Sequence, residues 1–355
     1  MLAALRRGIG ATLSGLRRLA RQRDPVLLLG REGRWQWPWV VAGLAAVLIA
    51  SMLLVQAPLA FESYALRQGW ISRTFAGVVF PFYPNEPASY LYDLLCWLPY
   101  LLPPLVALTV VHGVSWRRAF SWGGGFRWLD FLRTSMAVIV LLGAGAVLTY
   151  VLEPQQHSMR WPSMDLLPWI ALGLVAVLVQ TLAEDVYYLG YLYRTWGAVV
   201  ALRLPLAAGV TTAFIIPHLQ NADVQRDMLL AVVGFVMMAT VSIAALMRTQ
   251  SLAASAGLHW ANNAFIVLRP TAPEEVNPLA LVVYTDRVYA AGGSYLYEPA
   301  TYLFAVLGPA LLLVMLFWRR SPFCLPRALP PAPDAGQPAP ALTEPEGPAS
   351  APSPS

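Results

Sequence analysis

Eight apolar stretches run through this chain, near residues 36–60, 88–112, 133–152, 166–194, 204–219, 227–247, 250–268 and 299–318. Stretches of this kind cross about 30 Å of hydrocarbon as helices, because lipid offers no partner for an unpaired backbone N–H or C=O. The fifth is the shortest and opens with Pro205, whose fixed φ suits a first helical turn. The fold class this predicts is all-α: a polytopic membrane helix bundle with about eight transmembrane helices. Composition agrees. Of the 355 residues, 12% are charged and 57% hydrophobic, against about 25% charged in an ordinary soluble domain. So little charge cannot dress a water-soluble surface, which excludes a soluble enzyme, a disordered regulator and a nucleic-acid binder.

The basic residues orient the spans. The sequence has no lysine, and its arginines divide eighteen against six if the segment before the first span is cytoplasmic. That is the direction of the positive-inside rule, and it predicts eight spans with both termini cytoplasmic in the cell (inner) membrane. An arginine-only chain rich in Ala, Leu and Pro suggests a GC-biased bacterial source. Three regions follow. Residues 1–34 form a basic cytoplasmic segment in which Leu2, Leu5, Ile9, Leu13, Leu16 and Ala20 recur at helical spacing, as in an amphipathic helix lying on membrane lipids. A signal peptide is the alternative, but the stretch before the first apolar run is too long for one. Residues 35–320 form the bundle. Residues 321–355 are proline-rich and read as a disordered tail.

Polar groups at membrane depth need a partner or a task. Glu184 and Asp185 interrupt the apolar run from Ile170, and adjacent helical positions point about 100° apart. One acid is therefore expected to face a reaction space and the other a neighbouring helix. His218 closes Phe214-Ile215-Ile216-Pro217-His218. His259 and Asn263 lie four apart, stacked on one helix face. Spans four and five should form a hairpin that brings Glu184 and His218 roughly level. Asp93 is read as an interfacial or structural acid. Every other charge is assigned to loops, helix ends or tails. His112 and His157 fall at span ends and are expected to be solvated.

A bundle joining spans four, five and seven would gather a carboxylate, two imidazoles and an amide. A buried carboxylate can take a proton from water as a general base, and a His and Asn one turn apart can donate to a developing oxyanion. That equipment suits amide hydrolysis without a covalent intermediate. Glu184, His218 and His259 would also suit zinc as metal ligands, although no HExxH is present. A proton-coupled transporter with Glu184 and His259 as its relay is a further reading, but the spans show no clear inverted repeat.

At these residues the sequence resembles the CPBP (Abi) family of intramembrane proteases, which includes type II CAAX prenyl endopeptidases and lysostaphin resistance protein A-like members. The family motifs are Glu-Glu-x-x-x-Arg, Phe-x-x-x-His and His-x-x-x-Asn/Asp. Here they stand as Glu184-Asp185-Val186-Tyr187-Tyr188-Leu189, Phe214 to His218 and His259 to Asn263, within a core of about 165–268. The resemblance implies that Glu184 activates water with His218 as partner, that His259 and Asn263 line the oxyanion site, and that Asp185 supports them. It implies a membrane-associated peptide or lipidated protein substrate, and either a metal-free or a zinc-assisted mechanism. Leu189 departs from the motif arginine, so Asp185 needs Tyr187, Tyr188 or another helix as its partner, or stays protonated. A catalytically degenerate member acting as an immunity or scaffold protein is the alternative.

Overall fold

The computed structural model describes residues 33–70, 87–121, 125–152, 157–159, 164–200, 202–220, 224, 228–268, 282–284, 299–317 and 321–325. The amphipathic segment expected before residue 24 and the tail beyond residue 325 lie outside them. Helices fill all eight predicted stretches, and the protein is an all-α membrane bundle. In chain order they are α1 (Trp37–Leu54), α2 (Gln56–Arg67), α3 (Pro87–Val110), α4 (Trp128–Leu152), α5 (Leu167–Asp185), α6 (Tyr193–Val199), α7 (Arg203–His218), α8 (Met228–Thr249), α9 (Leu252–Leu268) and α10 (Pro299–Phe317). Five continuous helical stretches among the described residues are long and apolar enough to cross a membrane. The extended segments described are β1 (His157–Met159) and β2 (Val282–Tyr284), paired antiparallel.

Proline places several of these elements. Pro38 and Pro168 lie in the first turns of α1 and α5, where their missing N–H costs nothing. In α3 the interior prolines are Pro99, Pro103 and Pro104. Pro103 has no N–H to give the carbonyl four residues earlier. That carbonyl belongs to Pro99, and Ser51 Oγ of α1 donates to it at 2.7 Å. A helix defect in α3 thus becomes the polar clasp between the first two spans.

The centre of the bundle is α9. Its opening run Leu252 to Leu258 is buried without interruption, packed between α4, α5 and α8. Small residues permit this, since close backbone approach is how helices associate in lipid. A methyl group on Gly257 would strike Thr134 Oγ1 and the Phe131 carbonyl of α4. Ser135 Oγ of α4 donates to the Gly257 carbonyl at 3.1 Å. Trp260 Nε1 donates to the Leu174 carbonyl of α5 at 3.1 Å, so one helix is tied to both neighbours.

Burial corrects two expectations and adds to a third, that Asp130 stands at a helix end. His112 is not solvated: it is fully buried, stacked on Trp35 at 4.2 Å. Its Nδ1 bonds the Arg34 carbonyl at 3.0 Å and its Nε2 faces the Tyr191 hydroxyl at 3.3 Å. The chain preceding α1 folds back over the end of α3 and covers it. Glu62 does not belong to a loop but is buried on α2. Asp130, at the start of α4, is also buried, and Arg127 Nε pairs with it at 2.8 Å. The side chain of His157 lies outside the described residues.

Candidate active site

The acid pair ends α5, and the helix does not continue in α form. Residues Val186–Leu192 are a π-helical segment before α6 resumes. Such segments widen the turn and concentrate at functional sites. Glu184 and Asp185 are each only 5% exposed, so both need partners from another helix. Both find the same one. His259 Nδ1 lies 3.1 Å from Asp185 Oδ1, and its Nε2 lies 3.4 Å from Glu184 Oε2. The divergence of adjacent acids does not send them to different places, because the imidazole fits between them and presents one nitrogen to each.

The second contact has ion-pair distance without hydrogen-bond geometry, so Glu184 Oε2 is buried with no hydrogen bond, as is Asp185 Oδ2. The imidazole thus faces one acid with each nitrogen, hydrogen-bonded to Asp185 and in ion-pair distance of Glu184.

One turn further along α9, Asn263 also faces α5. Its Nδ2 donates to Gln180 Oε1 at 3.1 Å, and its Oδ1 accepts from Asn262 Nδ2 at 3.2 Å. Moving up α9 by four residues and down α5 by about four lands on the next contact, the register of an antiparallel pair. The predicted stacking of His259 and Asn263 on one face is therefore present. Gln180, 3% exposed, was not among the residues singled out, although a primary amide inside an apolar span was the visible signal.

His218 arrives by another route. Its Nδ1–H donates to the Phe214 carbonyl at 2.7 Å, which leaves Nε2 as the nitrogen with a lone pair. Its ring lies 4.5 Å from Phe214 and 5.1 Å from Phe235 of α8. Phe214 also meets His259 at 5.9 Å and Tyr188 at 5.3 Å. The two histidines thus flank one aromatic ring. Among the described residues no hydrogen bond or ion pair joins Glu184 to His218. The hairpin brings His218 to the same aromatic ring as His259 without making it Glu184's direct partner.

Two further positions complete the picture. Leu189 packs into the apolar cluster with Val186, Leu192 and Leu246, so the position of the motif arginine holds no charge, and His259 is the group that meets Asp185. Asp93, on α3, is buried and accepts from Trp97 Nε1 at 3.3 Å. Zinc would need Glu184, His218 and His259 together; among the described residues no three of the His, Cys, Asp and Glu side chains come together as a metal site, and both nitrogens of His259 are turned to carboxylates.

Comparison with known proteins agrees with the motif reading. Residues 166–265 match the Rce1-like family, described as type II CAAX prenyl endopeptidase Rce1-like. The match contains Gln180, Glu184, Asp185, His218, His259 and Asn263. The chain is also 26% identical over 134 residues to the uncharacterized protein YyaK of Bacillus subtilis (strain 168), covering 38% of this chain and 45% of that protein. The chain thus spans less than half the length of that relative. No solved structure matches.

Proposed function

We propose that this chain is a membrane-embedded endopeptidase of the CAAX-protease type. It cleaves a peptide bond of a membrane-associated or lipidated substrate with a water activated by Glu184. The observation that carries the reading is His259 held between two buried acids inside the segment that matches the Rce1-like family.

In this reading Glu184 takes a proton from water as the oxygen attacks the carbonyl carbon, and that proton passes to the leaving amine as the C–N bond breaks. Asp185 and His259 fix the position of Glu184 and spread its charge. His218 offers the lone pair of Nε2 to the water's second hydrogen. Asn263 lines the side where the oxyanion forms. The protein sits in a bacterial cell membrane with both termini cytoplasmic.

The test is cleavage of a panel of membrane-anchored and lipidated peptides by the purified protein in proteoliposomes. Glu184→Gln and His259→Ala are expected to lower turnover by about 10²-fold or more. Wild-type turnover in both variants would overturn the reading.

A further inference from the structure

The amide chain on α9 has a direction. Asn262 Nδ2 donates to Asn263 Oδ1, and Asn263 Nδ2 donates to Gln180 Oε1. The last member therefore receives a hydrogen bond on its oxygen. Its nitrogen, Nε2, has no hydrogen-bond partner among the described residues. Hydrogen bonds in series polarise one another, so this terminal N–H is the strongest free donor of the chain.

Its placement is specific. Gln180 and Glu184 lie four apart on α5, one turn apart on the same face and about 6 Å along the axis. The side chain is buried in an apolar span, where a primary amide with unused hydrogen-bonding capacity is costly. A water at Glu184 and a donor one turn away are separated by about the distance that an attacked carbonyl spans.

We infer that Gln180 is a catalytic residue of this peptidase: its Nε2–H donates to the carbonyl oxygen of the scissile bond as that oxygen becomes an oxyanion. Asn263 then acts on Gln180, fixing its amide with the oxygen turned away from substrate and the nitrogen toward it. The inference rests on the peptidase reading above and reassigns the principal oxyanion donor from Asn263 to Gln180.

Two substitutions separate donation from mere orientation of Asn263. Gln180→Glu keeps an oxygen that accepts from Asn263 but removes the amide N–H. Gln180→Met keeps the length and removes both. Both are expected to lower kcat by about 10²-fold, the scale of losing one oxyanion donor, with KM within about threefold of wild type. Gln180→Glu also puts a carboxylate beside two buried acids and should lower the thermal midpoint, so turnover of every variant is compared below its own transition. If Gln180→Glu turns over like wild type, donation is not its role and the proposal fails. The same holds if Gln180→Met does so. Glu184→Gln is measured alongside: its inactivity combined with fully active Gln180 variants defeats this proposal alone, whereas activity in all three, or a wild type that cleaves nothing in the panel, defeats the peptidase reading with it.

Discussion

At Leu189 a branched aliphatic side chain stands where the family motif carries an arginine. The π-helical turn explains why the chain tolerates this. The wider turn that begins right after Asp185 breaks the α-helical register between 185 and 189, and Leu189 is turned into apolar packing, 9% exposed. Leu189→Arg is therefore expected to destabilise the protein by about 3 kcal/mol, the scale of an uncompensated buried charge, read as a lowered thermal midpoint in detergent. An unchanged midpoint would show that an arginine reaches the acids from this position. His112 supports a second residue-scale prediction. Burial pushes its imidazole below the ordinary value, outweighing the Arg34 carbonyl contact. A group whose folded value is lowered favours folding while neutral, so its stabilisation is complete above about pH 6.5 and is lost as pH falls through the folded value. His112→Asn should flatten that acid limb in a pH series of thermal midpoints; an equally steep limb in the variant would place the titration elsewhere. Neither environment was legible in the sequence. A lone His two residues past a span and a Leu within an apolar run carry no sign of what will cover them. The acids, His259 and Asn263 were legible because charge and amide stand out against hydrocarbon.

At the scale of elements, the eight apolar runs determine the helices, but not their interruptions. Val186–Leu192 reads as uninterrupted apolar helix, with tyrosines and one glycine. Its π geometry arises from packing: Gly190 lies against the Ala119 carbonyl, where a methyl group would come within 3.1 Å, and Tyr191 is held against His112. The short 3₁₀ turn Trp116–Ala119 thus abuts the segment that follows the acids. The small-residue run of α9, by contrast, packs as such runs do between helices in lipid. Because Gly257 leaves no room for a Cβ against α4, Gly257→Ala is expected to cost about 1–3 kcal/mol, as overpacking does. On the peptidase reading it should also reduce turnover beyond what the lost stability explains, since α9 carries His259 and Asn263. Unfolding midpoints and turnover measured below the transition would check both. Full activity with an unaltered midpoint would mean that α4 moves aside freely.

At the scale of the whole molecule, the connections collect on two opposite faces, and chain order dictates which. Arg34 bonds His112, Arg194 donates to the Arg118 carbonyl, and Arg127 donates to the Thr249 carbonyl at 2.8 Å. Ser121 bridges Ser251, and Arg248 reaches the Leu325 carbonyl at 2.7 Å. These segments precede α1, follow α3, lie in α6, end α8 and follow α10, which is the alternation that a chain crossing once per span requires. The pairing of β1 with β2 and the stacking of Tyr90 on Trp169 gather the other ends. The contacts thus group on one face of the bundle the segments that the arginine count assigns to the cytoplasm. If that face is cytoplasmic, the membrane position of single cysteines follows. In a protein with Cys96→Ser and Cys324→Ser, Ser115→Cys lies on the arginine face and Gln68→Cys at the far end of α2, and both positions are exposed. An impermeant maleimide should label Gln68→Cys on intact cells and Ser115→Cys only after permeabilisation. The reverse pattern would invert the protein in its membrane and place the arginine-rich face outside. Labelling of both on intact cells would break the two-face arrangement itself.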